Sequence, residues 1–116
     1  MRRGNKEKFG RPRKQRHALA KGLATALITH ERITTTAAKA KLLTVTMGYL
    51  VTTAKKNTLA SRRDIAAVLG PQATVKLVKN LAPKLSTRNG GYTRTTSLGR
   101  RRSDGAPMSL VELLSN

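Results

Sequence analysis

The sequence has no cysteine and no tryptophan, one phenylalanine, two tyrosines and only five acidic residues in 116. Each scarcity removes a class of protein. Without thiols there is neither a disulfide framework nor a thiolate metal site, which fits a reducing compartment. The five carboxylates, Glu7, Glu31, Asp64, Asp104 and Glu112, fall in five separate segments and offer no pair for general acid–base work. His17 and His30 stand too far apart on one expected helix for the i, i+4 geometry of a metal pair. No serine or threonine has an evident base and orienting partner. The glycine-bearing stretch Gly99 to Gly105 lacks the Lys-Ser/Thr ending of a phosphate-binding P-loop. The sequence therefore predicts no catalysis, no cofactor, no metal and no small-molecule substrate. Long apolar runs are missing too. A membrane span needs ~20 consecutive apolar residues, and the best candidate, Leu42 to Ala54, is broken by Thr44, Thr46, Gly48, Thr52 and Thr53. The charged N-terminus has no apolar secretory segment and no transit-peptide pattern, so a bacterial, cytoplasmic protein without membrane contact is expected.

What is abundant is positive charge. Twenty-four Lys and Arg leave a formal charge of +19, and self-repulsion on that scale penalises a compact state that lacks a polyanionic partner. Nucleic acid fits best, because cations that neutralise phosphates release condensed counterions. The length suits one compact domain with an attached extended piece. Residues 1–16 hold Arg2, Arg3, Lys6, Lys8, Arg11, Arg13, Lys14 and Arg16 against Glu7, with Phe9 the single large apolar group. Such a segment cannot bury enough surface to offset its ordering entropy. A basic arm over 1–16 and a single domain over 17–116 are expected.

From about Arg16 the apolar spacing turns helical, through Leu19, Leu23, Leu27 and His30, where a C-terminal histidine would face the last carbonyls. The β-branched run Arg32 to Thr36 predicts a strand, and the Thr36 hydroxyl predicts the cap of a second helix. Ala40, Leu43, Met47, Leu50 and Ala54 then form one apolar stripe, a core face. A third helix is expected over Ala60 to Leu69, with Ser61 and Asp64 as a capping box. A fourth, opened by Pro71, is expected to turn Val75, Val78 and Leu81 inward until Ala82-Pro83 stops it. Asn89-Gly90-Gly91 permits positive φ, after which Tyr92 to Leu98 and Met108 to Leu114 predict a hairpin closed by the basic loop GRRRSDGA. The expected fold is α+β, two layers, with about four helices on a small three-stranded mixed sheet.

Residues 86–106 carry Arg88, Arg94, Arg100, Arg101 and Arg102 against Asp104 alone. A merely solvated face interleaves both signs, whereas arginine forks match phosphate oxygens. Tyr92 beside Gly90-Gly91 could stack on an unpaired base or, equally, serve the core.

Two blocks resemble a known family. HALAKGLATALITHERITTTAAKAK (His17 to Lys41) and RNGGYTRTTSLGRRRSDGAPMSLVELL (Arg88 to Leu114) resemble the opening core and closing hairpin of the bacterial-type large-subunit ribosomal protein L-seventeen family. The resemblance implies a structural ribosomal protein bound to large-subunit rRNA near the exit of the polypeptide tunnel, beside neighbouring large-subunit proteins, one copy per ribosome. It places RNA contacts on the arm and on Arg16, Lys21, Arg32, Lys39, Lys41, Arg88, Arg94 and Arg100 to Arg102. The chain departs from the family pattern at Gln15, Lys21-Gly22 and Leu42, and at Thr44, Val45 and Gly48, where charged residues are usual. Two rival readings are weaker. A nucleoid-type DNA-binding protein would need a dimer seam, yet the best stripe is required for the monomer's own core. A cationic membrane-active protein would need more aromatic anchors than one Phe and two Tyr.

Overall fold

In the structure, a computed structural model that describes residues 9–10 and 12–114, the first element is α1 (Arg13–His30). It begins three residues ahead of the sequence-based start. Pro12 stands at the N-cap in extended conformation, with its carbonyl accepting the Arg16 N–H at 2.9 Å. Proline has a preset φ and no N–H to satisfy, so a helix can start directly behind it. Arg13 to Arg16, assigned to the arm by composition, thus form the first turn of α1. The helix ends as Glu31 turns left-handed (φ 65) and its N–H closes on the Leu27 carbonyl. That conformation costs a non-glycine residue about 1–2 kcal/mol. Two long-range contacts oppose the cost: the Glu31 carbonyl accepts the Leu113 N–H at 2.9 Å, and its carboxylate lies 3.3 Å from Lys76 Nζ.

The strand β1 (Arg32–Thr36) leads into α2 (Ala37–Lys56), capped as expected by Thr36 Oγ1, which accepts the Lys39 N–H at 3.4 Å. Ala40, Leu43, Met47, Leu50 and Ala54 are all buried, so the stripe read from the sequence is the core face. It meets Leu27 and Ile28 of α1, Ile65 of α3 (Leu59–Val68) and Val111 of the sheet. The capping box of α3 is not Ser61 with Asp64. Asn57 ends α2 in the left-handed region and leaves Thr58 extended, so Thr58 is the cap. The Ser61 N–H donates to Thr58 Oγ1 at 3.1 Å, and the Thr58 N–H donates to Ser61 Oγ at 3.0 Å.

The fourth helical region is one run in three parts, α4 (Pro71–Val75), a π-helical stretch Lys76–Leu81 and α5 (Ala82–Lys84). Its buried face is Ala73, Leu77 and Leu81, whereas Val75 is 52% exposed and Val78 only partly covered. The run also passes through Pro83 instead of stopping there. A proline ring crowds the carbonyl four residues back. The wider bond from the Ala82 N–H to the Leu77 carbonyl opens the backbone at that turn.

The sheet has the order β1–β3–β2, with β2 (Thr93–Arg100) and β3 (Pro107–Leu113) joined as the expected hairpin. It is antiparallel throughout, not mixed. β1 and β2 point the same way, but β3 separates them. The helices cover one face, where Val111, Ser109 and Thr35 are buried. On the other face Met108, Leu110 and Glu112 of β3 are only partly covered. The two-layer α+β class is as expected.

Candidate nucleic-acid interface

Three basic regions surround this frame. The first is the opening of α1, where Arg13, His17 and Lys21 recur at four-residue steps with Lys14 beside them, giving one exposed cationic strip. The first turn contains no acid and Pro12 offers no side-chain cap. The orphan N–H groups and the positive end of the helix dipole therefore coincide with arginine and lysine, an arrangement unfavourable by itself and favourable beside an anion. His17 and Lys21 also border an open depression of about 360 Å³ walled by Ala18, Ala20, Ala67 and Val68. Arg16 is half-buried on another side of the helix.

The second region is the open face of the sheet. Arg32 and Arg94 flank Glu112 across the strands, with Arg32 Nη2 3.9 Å from the carboxylate. One carboxylate between two guanidinium groups leaves net positive charge on that row. The next row places Leu110 between Thr34 and Thr96. A register shift between Ser97 and Gly99, where Gly99 has φ 89, kinks β2 before the loop.

The third region is the loop, in which three arginines have three different duties. Arg100 Nη1 donates to the Gly105 carbonyl at 2.8 Å. The Arg101 fork holds Asp104 through bonds of 3.0 and 2.7 Å, and Asp104 also accepts the Ala106 N–H at 3.1 Å. The Arg101 bonds first, and the Ala106 N–H second, hold the Asp104 carboxyl down to about 2, while Asp104 raises Arg101. Arg102 is exposed and has no hydrogen-bond or ion-pair partner among the described residues. The loop is thus braced by two arginines and presents the third.

Other sequence-selected residues are placed differently. Arg2, Arg3, Lys6, Lys8 and Arg11 lie outside the described residues. Tyr92 is 4% exposed and cannot present its ring to a base. Its hydroxyl lies 3.4 Å from Thr52 Oγ1 and accepts from Lys55 Nζ at 3.3 Å, while the ammonium sits 5.2 Å from the ring centroid. The Thr52 bond, helped by Lys55 and opposed by desolvation, lowers the phenol from its ordinary value. Lys55 also donates to the Arg88 carbonyl, tying the turn before β2 to α2. Arg88 is half-buried, with Nη1 3.5 Å from the Gly91 carbonyl. Lys39 and Lys41 stand on opposite sides of α2, because two residues turn a helix by about 200°. They cannot serve one patch.

Sequence reasoning missed the exposed pair Arg62 and Arg63 on α3, which a charge count over that helix could have flagged. It placed Lys55 at the end of the second helix but not its bond to Tyr92, which lies 37 residues away and leaves no local signal.

Comparisons with known proteins identify the family. The family model described as Ribosomal protein L17 matches residues 19–114. Among relatives, Large ribosomal subunit protein bL17 of Natranaerobius thermophilus is 47% identical over 109 residues, covering 93% of this chain and 96% of that protein. Its counterpart in Persephonella marina is 49% identical over 111 residues, covering 93% and 90%. That of Thermomicrobium roseum is 46% identical over 109 residues, covering 93% of each. With the family match running from within α1 to the end of the hairpin, and relatives at such identity, this chain belongs to the ribosomal protein L17 family.

Proposed function

We propose that this chain is a non-enzymatic structural constituent of the large ribosomal subunit that binds large-subunit rRNA. In this reading the opening of α1, the Arg32 and Arg94 row and Arg102 meet phosphates, and the basic arm adds further contacts. The observation that carries it is the α1 N-terminus, where Arg13 and Lys14 stand in a first turn that has no acid and no side-chain cap among the described residues, and His17 and Lys21 continue the basic strip along the helix. A polyanion resolves that arrangement; water does so less well. RNA is favoured over duplex DNA by membership of a ribosomal protein family and because the α2 stripe, the best candidate for a dimer seam, is consumed in the monomer's core. A position near the tunnel exit, one copy per ribosome and a cytoplasmic ribosomal location belong to the same proposal and rest on the family resemblance.

Filter binding of the full chain to large-subunit rRNA across a salt series tests it. The expected result is a steep fall of affinity with salt, with Arg13→Ala and Lys14→Ala each flattening the slope by about one phosphate contact. A slope unchanged by both substitutions, or equal affinity for duplex DNA, overturns the assignment. Sedimentation of native extracts checks the coarser claim, because the chain must travel with the large subunit.

A further inference from the structure

The middle of α2 carries a surface that phosphate binding leaves unused. From Leu42 to Ala54 the helix has no charged side chain on any face. One side of this stretch is the core stripe. On the opposite side Val45 is 74% exposed and Tyr49 57% exposed, with half-buried Leu42 alongside. A helix hydrophobic all round is normally buried; this stretch, uncharged all round, is covered on one side only.

Its threonines deepen the apolar character. Thr44 Oγ1 donates to the Ala40 carbonyl at 2.9 Å, Thr46 Oγ1 donates to the Leu42 carbonyl at 2.9 Å, and Thr52 is engaged with Tyr92. Their hydroxyls are occupied within the protein. At the two ends of the stretch stand exposed Lys41 and Lys56, neither of which meets a carboxylate among the described residues.

We infer that this outward face of α2, Val45 and Tyr49 between Lys41 and Lys56, docks a segment of a neighbouring protein that is apolar in its middle and acidic at its ends. The inference rests on the reading of the chain as a large-subunit component. Charge selects the occupant. The uncharged stretch runs about 20 Å along the helix axis, so an RNA strand laid on it would hold several phosphates against a surface with no cation and, among the described side chains, little to donate beyond the Tyr49 hydroxyl. A second copy packed antiparallel would set Lys41 against Lys56 at both ends. A protein segment with carboxylates at its ends satisfies both lysines and buries the valine and the tyrosine, giving the apolar centre and polar rim of a protein interface.

The test places the photocrosslinker p-benzoylphenylalanine at Tyr49 of the full chain, incorporated into large subunits in cells. Because Tyr49 is exposed, the substituted chain folds, which circular dichroism verifies. Irradiation should give an adduct sensitive to protease and resistant to ribonuclease, mapping to a neighbouring protein within a few residues of a carboxylate. Adding Lys41→Glu with Lys56→Glu should reduce its yield several-fold. An adduct to RNA or to a second copy of the chain overturns the proposal, as does absence of any adduct together with free iodination of Tyr49 in intact subunits. A chain missing from large subunits overturns the functional reading as well. A chain present there with its crosslink on RNA overturns this inference alone.

Discussion

Leu43 and Val45 stand two residues apart on α2, one fully buried and one 74% exposed, and their truncation to alanine should have opposite consequences. Leu43→Ala removes three carbon atoms from a site closed by the α1, α3 and sheet contributions to the core. At ~0.8 kcal/mol per buried methylene the transfer loss is about 2.4 kcal/mol. A residual cavity adds to this, and buried leucine truncations span about 2–5 kcal/mol in all. A domain of this size has only about 6–17 kcal/mol of total stability, further reduced by its own positive charge. The loss is thus a large fraction of the whole. Val45→Ala removes atoms that already face water and replaces a β-branched residue by the best helix former, so its effect lies within about 0.5 kcal/mol. Urea unfolding at fixed ionic strength, followed by circular dichroism, measures both. With a slope of ~2 kcal/mol/M, Leu43→Ala moves the midpoint down by roughly 1–2.5 M while Val45→Ala leaves it almost still. Equal shifts for the two variants, or a Leu43→Ala midpoint that does not move, would falsify the assignment of inward and outward faces.

Arg102→Ala should flatten the salt dependence of rRNA binding by about one contact, whereas Arg101→Ala should act mainly by loosening the loop; equal slope changes in filter binding would show that the two arginines are not differently employed. The Asp104 carboxyl, held down to about 2 when folded, favours the native loop above the ordinary carboxylate range and loses that contribution as pH falls through about 2. Carbon-detected NMR of the carboxyl should show that midpoint, and Arg101→Ala should return it toward the usual range. Replacing Pro12 by Asp installs the missing cap on α1 and should stabilise the free protein by about 1 kcal/mol in urea melts while weakening rRNA binding. A variant that gains stability and keeps full affinity would remove the α1 N-terminus from the interface.

The elements legible in the sequence were those whose cause is local. The α2 stripe, the Thr36 cap and the Gly90-Gly91 turn follow from residues within a few positions of one another, and each stands where it was expected. The capping box was misplaced because Asn57, a residue tolerant of positive φ, ends α2 and shifts the next start to Thr58. The face of the fourth helical region was misread because a π-type widening shifts which side chains turn inward, and ordinary 3.6-residue spacing does not anticipate it. Strand order and the burial of Tyr92 depend on contacts across 37 residues and more, on which periodicity is silent. Charge composition pointed to a polyanion but treated cations as equal. Only the folded loop separates the arginine that presents its fork from those that brace the turn.

The middle place of β3 in the sheet governs the order in which the protein can fold. Among the described residues both outer strands bond only to β3, the last of the three to be synthesised, and Thr36 waits for Met108 across 72 residues. Closing a loop of that length costs about 4 kcal/mol of chain entropy. During synthesis β1 therefore has no partner strand until β3 emerges, and a nascent chain stopped anywhere before residue 107 has two strands without the one that joins them. The left-handed Glu31, whose carbonyl is bonded by Leu113, ties the end of α1 to the same late event. Ribosomal chains cut short on this template should therefore reach proteases with the sheet side of their helical layer bare, marking them as unfinished before they compete for a place in the particle.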